Sequence, residues 1–327
     1  MVSEVYEPFV SIIIPTKRIS YFVEEAVSHI LKMDYKNYEI LVLPDKESAE
    51  VYRNTKIIAT GPVGPAEKRD LAVEHSEGEI LAFLDDDAYP REDWLREAVK
   101  HFKDPEVAAV GGPAVTPQTD GLLQKVSGAI FASRICSGNY TYRYVPEKMQ
   151  EVDDFPSVNL LIRRDVFKEV GGFNTNYWPG EDTKICLDIT KKLNKKIIYD
   201  PDVFVWHHRR SLLMPHLRQT ARYALHRGYF VKTFPETSRR FGYFVPSLFV
   251  LGLSAGVLLS FVSSAVMYAY LGIMVLYAVL LCITGFSAAW FNKSPSVGAL
   301  VMPGVFLTHV TYGLYFLKGL MVKEIYK

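Results

Sequence analysis

After Phe241 the chain carries only five charged residues: Lys293, Lys318, Lys323, Glu324 and Lys327. Nearly all other charge lies upstream, although the formal net charge over the 327 residues is only +1. A water-soluble fold does not leave about a quarter of its length so bare of charge, so the sequence predicts a soluble domain followed by a membrane domain. Three apolar stretches make up that second part, at about 243–262, 266–290 and 298–320. Each is long enough to cross roughly 30 Å of hydrocarbon. The third contains Pro303, Gly304, His309 and Gly313, which suits a kinked or re-entrant path.

Arg227, Lys232, Arg239 and Arg240 precede the first stretch, which places that side in the cytoplasm by the positive-inside rule. The loop near Ser263 to Ala265 is uncharged and suits the far side; Lys293 then returns to the cytoplasm. Three full crossings put Lys318, Lys323 and Lys327 outside, against the rule. Either the third stretch is re-entrant or the rule is overridden. Gly252-x-x-x-Gly256 permits close helix packing and a homo-oligomer, although a chance glycine pair in an apolar helix accounts for it better. The balanced charge gives no broad basic surface for nucleic acid. Cys136, Cys186 and Cys282 are odd in number and fit no metal spacing, as expected in a reducing compartment. The N-terminus lacks the apolar run of a secretory signal.

Upstream, apolar runs alternate with amphipathic segments. Phe9 to Pro15, Tyr38 to Leu43, Lys56 to Ala59, Ile80 to Leu84 and Val107 to Gly111 are expected strands. Ser20 to Met33, Pro65 to Ser76 and Arg91 to Phe102 are expected helices, the second opening on a proline. This order predicts an α/β fold with a parallel sheet and helices on both faces. Ligands bind beyond the carboxyl ends of such strands, where Asp45 and Asp85-Asp86-Asp87 stand, so these should share one crevice. No G-x-G-x-x-G follows the first strand, which disfavours a dinucleotide fold.

Three adjacent carboxylates repel one another unless a cation or solvent shares their charge. At a strand end Asp85 and Asp87 point the same way. Oxygen ligands of this kind suit Mg²⁺ or Mn²⁺ carrying a diphosphate. Taken alone, the triplet is better explained as a solvated acidic turn before a helix. Its context reverses that preference. VSIIIPTKR, EKRDLAVEHSEGEILAFLDDDAYP, WPGEDTK and WHHRR occur in order. Together they resemble family-2 glycosyltransferases of the GT-A fold, a Rossmann-like nucleotide-sugar-binding domain, over most of residues 8–230.

The resemblance implies a nucleotide-sugar donor and a divalent metal, Mn²⁺ or Mg²⁺. It makes Asp87 the main metal ligand, with Asp85 beside it near the ribose and Asp86 also on the donor. Pro15, Thr16 and Arg18 line the nucleobase site, Asp45 pairs with the base, and Arg69 approaches the nucleotide. Pro44-Asp45-Lys46 replaces the usual Asp-Asp-Gly, and Lys17-Arg18 replaces Tyr-Asn. In Trp178-Pro179-Gly180-Glu181-Asp182, the family's base is the second acid, Asp182, with Glu181 beside it. Such a base takes the acceptor hydroxyl proton during an inverting transfer. A histidine after a later strand binds the metal in many relatives; His207 and His208 both stand there, and strand alternation lets only one face the site, with His207 preferred. Arg209 and Arg210 suit phosphate oxygens. Gln219, Arg222 and Tyr223 resemble a Gln-x-x-Arg-Trp motif that caps the acceptor site at the membrane surface, and Trp178 belongs to the same acceptor side. His216 to Lys232 has the composition of an interfacial helix.

The expected organisation is a catalytic domain over 1–235, with a nucleotide half of about 8–111 and an acceptor half of about 112–235, followed by a membrane domain over 241–327. Three segments are few for a polysaccharide channel, so the expected acceptor is lipid-linked, at the cytoplasmic face of the cell membrane. A builder of surface polysaccharide and a non-catalytic nucleotide-sugar-binding protein are the competing expectations.

Overall fold

The computed structural model describes residues 6–175 and 177–325. The chain divides into two compact units: residues up to Val115 with Tyr142–His208, and Thr116–Thr141 with the chain from Arg209 onward.

The first unit is built on an eight-stranded sheet. Its strands are β1 (Val10–Pro15), β2 (Tyr38–Leu43), β3 (Thr55–Ile57), β4 (Ile80–Leu84), β6 (Val107–Gly111), β8 (Gln150–Val152), β9 (Asn159–Arg163) and β10 (Lys196–Tyr199), in the order β3-β2-β1-β4-β9-β6-β10-β8. Every residue of β1, β2 and β4 is buried, as their unbroken apolar runs require for central strands covered on both faces. The strands from β3 to β4 pair in parallel. The expected all-parallel sheet is corrected beyond β4. There β9 lies antiparallel to both β4 and β6, and β8 is antiparallel to β10. β8 and β9 run the same way, against the other strands of this sheet, so the chain reverses in the segment 116–149 that leads into β8.

A second sheet has the order β5-β11-β7, formed by β5 (Ala88–Pro90), β11 (Val205–His207) and β7 (Ala114–Val115). The expected helix from Arg91 is shorter than its pattern: β5 takes up the chain to Pro90, α3 covers only Trp94–Val99, and a 3₁₀ turn follows over Lys100–Lys103. Asn159 joins the two sheets. Its side-chain oxygen accepts from Trp94 Nε1 at 2.8 Å, and its nitrogen donates to the Gly112 and Val203 carbonyls at 2.9 and 2.8 Å. Any side chain at Gly112 would overlap the Val203 carbonyl, so this junction needs glycine. Helices α1 (Tyr21–Ile30), α2 (Pro65–Glu74), α6 (Arg164–Glu169) and α7 (Glu181–Leu187) complete the unit.

The second unit is helical: α4 (Leu122–Phe131), α5 (Arg134–Ser137), α8 (Met214–Thr233), α9 (Pro235–Ser238), α10 (Phe241–Ser260), α11 (Ser264–Phe291) and α12 (Pro295–Met321). The last three are long and apolar enough to cross a membrane, with mean hydropathies of 1.8, 2.4 and 1.4. Glycines set their packing, since small residues let helix backbones approach. Gly256 of the Gly-x-x-x-Gly pair faces Tyr270 within the chain, while Gly252 faces open space. Gly228 of α8 seats against the Phe316 carbonyl and Gly319 of α12. A methyl group there meets rigid backbone, so Gly228→Ala is expected to destabilise the helical unit by about 1–3 kcal/mol. Thermal unfolding in detergent will read this as a lowered midpoint.

His216 pins three helices of this unit. Its Nδ1 lies 2.8 Å from Ser127 Oγ on α4, and its Nε2 lies 2.9 Å from Thr308 Oγ1 on α12. Thr308 donates its own proton to the Gly304 carbonyl, so His216 donates from Nε2 and accepts at Nδ1. Burial pushes this imidazole from 6.5 down to about 4. The folded state therefore refuses a proton that the unfolded chain accepts. The stability is present above pH 6.5 and is lost as pH falls toward 4, by roughly 3 kcal/mol in all. Thermal unfolding followed against pH should drop across that window, and His216→Gln, which keeps one donor and one acceptor, should flatten the drop.

Candidate active site

The carboxyl ends of β1, β2 and β4 carry the acidic and hydroxyl groups expected from the sequence. Asp85 and Asp87 share one direction beyond β4, and Asp86 turns the other way. Ligand atoms of Asp85, Asp87 and His207 all lie within 4.8 Å of one another. His207 Nε2 is 3.0 Å from Asp87 Oδ1. β11 pairs antiparallel with β5 so that His207 stands opposite Ala88, which brings a histidine from far along the chain to the aspartates. His208 faces away: its Nε2 lies 2.8 Å from Glu25 Oε2, while its backbone N–H donates to the Asp87 carbonyl at 2.9 Å. Two carboxylates and one imidazole form a donor set that fits a divalent cation of the Mn²⁺ or Mg²⁺ class.

Asp86 is held by Thr16, whose hydroxyl lies 2.6 Å from Asp86 Oδ2. Burial and the neighbouring Asp87 charge push the Asp86 carboxyl up to about 6. Thr16 is itself buried at the end of β1, next to Pro15, while Arg18 is exposed. Asp45 follows β2 and meets Lys68 Nζ at 2.5 Å. Lys68 also donates to the Thr16 and Leu43 carbonyls, at 2.8 and 3.1 Å. One buried ammonium thus fixes both Asp45 and the turn after β1.

Arg69, the next residue on α2, is buried and bridges two acids. Its Nη2 lies 2.8 Å from Asp85 Oδ1, and its Nη1 lies 3.0 Å from Glu181 Oε1. Its guanidinium also sits 5.4 Å from the Phe173 ring centroid. Glu181 opens α7 and is buried; Gly180 N–H donates to its other oxygen at 3.0 Å. Burial raises the Glu181 carboxyl above its ordinary range, against the pull of Arg69. Asp182 lies close enough to act on the Arg69 charge. Its Oδ1 accepts the Thr183 N–H at 2.8 Å, the usual place for a carboxylate in a first helical turn. Trp178, nearly half exposed, lines a cavity of about 250 Å³ with Pro65, Glu67 and Tyr177.

Arg209, Arg210, Gln219, Arg222 and Tyr223 belong to the helical unit. Arg209 is buried there, with Nε 3.2 Å from Thr116 Oγ1. Arg210, Arg222 and Tyr223 are exposed. Lys68 and Glu25 carry no site signal in the sequence. A lysine beside an arginine in a polar helix, and a glutamate in the first turns of α1, both have the pattern of solvated charges.

A sequence model of glycosyl transferase family group 2 matches residues 80–291, well over half of the chain. The chain belongs to this family. Among curated members it is 28% identical over 160 residues to the pre-mycofactocin glycosyltransferase of Mycobacterium tuberculosis, covering 49% of this chain and 33% of that protein. It is 24% identical over 201 residues to the glucosyl-dolichyl phosphate glucuronosyltransferase of Haloferax volcanii, covering 56% of this chain and 63% of that protein. The chain therefore spans from a third to under two thirds of these relatives. Among solved structures, the mannosyltransferase PcManGT from Pyrobaculum calidifontis, in complex with GDP-Man and Mn²⁺, superposes with a TM-score of 0.57 at 22% identity, covering 98% of this chain and 89% of that one. This family-2 chain has the GT-A fold, followed by three apolar helices.

Proposed function

We propose that this family-2 protein is a membrane-bound, inverting glycosyltransferase that moves a sugar from a nucleotide-sugar donor to a lipid-linked acceptor, a polyprenyl phosphate or a lipid-linked saccharide. The observation that carries the reading is the continuous line His207, Asp87, Asp85, Arg69, Glu181 and Asp182, in which one buried arginine ties a cation-binding triad to the carboxylate pair that opens α7. Asp182 is the base. For a saccharide acceptor its carboxylate takes the attacking hydroxyl's proton as the oxygen reaches the anomeric carbon and the bond from that carbon to the diphosphate breaks; a polyprenyl phosphate attacks as an oxyanion and has no such proton to lose. Asp85, Asp87 and His207 would hold a divalent cation, which would supply the charge that neutralises the leaving diphosphate. Pro15, Thr16, Arg18 and Asp45 take the nucleobase, with Lys68 fixing the Asp45 carboxylate, and Asp86 braces the donor loop through Thr16. Trp178, Arg209, Arg210, Gln219, Arg222 and Tyr223 serve the acceptor. The glucuronosyltransferase relative is named for a dolichyl-phosphate substrate, and the apolar helices suit a lipid tail. Basic residues before α10 support a cytoplasmic catalytic unit.

The test is transfer itself. Purified protein in detergent is incubated with Mn²⁺ or Mg²⁺, labelled nucleotide sugars and a total lipid extract, and the products are partitioned. Label in the organic phase supports the reading and identifies the donor. Label only in a large aqueous polymer replaces it with polysaccharide synthesis, and no transfer from any donor leaves a nucleotide-sugar-binding protein.

A further inference from the structure

The helical unit contains a contradiction if all three long helices cross the bilayer, and its packing removes it. In α10 and α11, Phe249 meets Tyr277 with ring centroids 4.5 Å apart, and Gly256 faces the Tyr270 ring. Both pairs have the same residue sum, so the two helices run antiparallel and Gly285 is level with Phe241, at the open end of the hairpin. The distal end is apolar and exposed: Phe261 and Val262 are 86% and 79% accessible. No charged residue lies between Phe241 and Asn292.

α12 touches this hairpin in the half nearer its open end, as deep as Phe249 and Tyr277, which both meet His309. Gly298 packs backbone to backbone on Gly285, and Gly313 packs on the Pro246 carbonyl; Phe244 meets Phe316. At 1.5 Å per residue, a helix laid along α11 would climb about 22 Å between Gly298 and Gly313, yet the levels of the two contacts differ by only about 7 Å. α12 therefore cuts obliquely across the mouth of the hairpin. Its other side is covered by α4 and α8. Val297, Val301 and Val305 cluster with Val126 and Ile130 of α4, and Gly319 seats on the Leu225 carbonyl of α8. α8 carries Arg218, Arg222, Arg227 and Lys232, four cations that hydrocarbon does not accommodate on one helix. The burial follows suit: α12 is substantially buried within the protein, whereas α10 and α11 have almost no buried residues.

We infer that α12 does not span the membrane but lies along its cytoplasmic surface, with α4 and α8 behind it and its exposed apolar stripe (Pro303, Phe306, Leu307, Leu314 and Met321) set into the acyl boundary of the near leaflet. The partner of this stripe is the lipid surface, and the chain crosses the bilayer twice, as the α10–α11 hairpin. Every charge from Lys293 to Lys323 then falls on the side of the basic residues of α8, which is what the positive-inside rule asks and three crossings violate.

The inference rests on the membrane-bound reading above, and one labelling experiment separates the two. In the full chain with Cys136, Cys186 and Cys282 changed to serine, single changes Ser263→Cys, Lys293→Cys and Lys323→Cys are treated with a membrane-impermeant maleimide in sealed inverted vesicles, before and after permeabilisation. Lys293→Cys and Lys323→Cys are expected to label fully in sealed vesicles, and Ser263→Cys only after permeabilisation. If Lys323→Cys instead behaves like Ser263→Cys, α12 spans and the inference falls. If Ser263→Cys labels in sealed vesicles, the hairpin itself does not cross and the membrane reading falls with it. Trypsin on the unmodified protein in the same vesicles gives the result without substitutions: cleavage after Lys323 in sealed vesicles supports the inference, and protection until detergent is added overturns it.

Discussion

Asp182→Asn is expected to lower turnover by about 10²–10⁴-fold while leaving nucleotide and cation binding intact. The amide keeps the shape and can still accept the Thr183 N–H, but it cannot take a proton. Asp87→Ala should separate from it cleanly. Asp87 stands in the Asp85–Asp87–His207 group, so its loss should weaken Mn²⁺ binding and donor binding together as well as transfer. Calorimetric titration of Mn²⁺ and nucleotide into both variants, alongside initial rates, distinguishes a missing base from a missing ligand. Full transfer by Asp182→Asn would remove Asp182 from the assigned role.

Arg69→Met should produce the largest loss of stability in the catalytic unit. Arg69 is the partner that neutralises Glu181, whose side chain is only 7% accessible. Removing one member of a buried pair strands the other, at a typical cost of about 3–5 kcal/mol. Glu181, already raised by burial, will meet that cost in part by taking a proton. The double variant Arg69→Met, Glu181→Gln should therefore regain most of the lost stability, and the cycle of four proteins measures the coupling. Transfer activity should not return with it, because Asp85 has also lost its counter-charge. Equal stability of Arg69→Met and the unaltered protein in thermal unfolding would mean that Glu181 has another neutralising partner.

The central strands were legible because a strand buried on both faces can be written only in apolar residues, and VSIIIP, YEILVL and ILAFL are. The three apolar helices were legible for the same reason. Antiparallel β9 was not, because NLLIR reads alike in either direction and pairing direction leaves no mark on periodicity. The aspartates and histidines could be named from their order along the chain, but the order does not say which histidine turns inward; the β5–β11 ladder does. Lys68 and Arg69 illustrate a further limit. Polar residues that are buried for electrostatic reasons break the amphipathic pattern of their helix, so α2 buries Lys68 and Arg69 beside Ala66 and Ala72 with no apolar stripe to announce it. The path of α12 was hidden because hydropathy registers what a helix avoids, while its direction depends on where glycines such as Gly285, Gly298, Gly313 and Gly319 let backbones meet.

The pairing of β11 with β5 also bears on how this family tolerates change in its loops. His207 reaches Asp87 because its strand is held in one register, and a shift of one residue exchanges the faces of a strand. In most sites such a slip would replace a ligand with an unrelated side chain. Here the next residue is His208, so a single deletion in the turn at 200–204 would present imidazole to the aspartates again, at the expense of the bond to Glu25, whereas an insertion would present Trp206. The doubled histidine gives the triad a spare tooth on the ratchet: the loop before it can lose one residue without emptying the position that completes the triad.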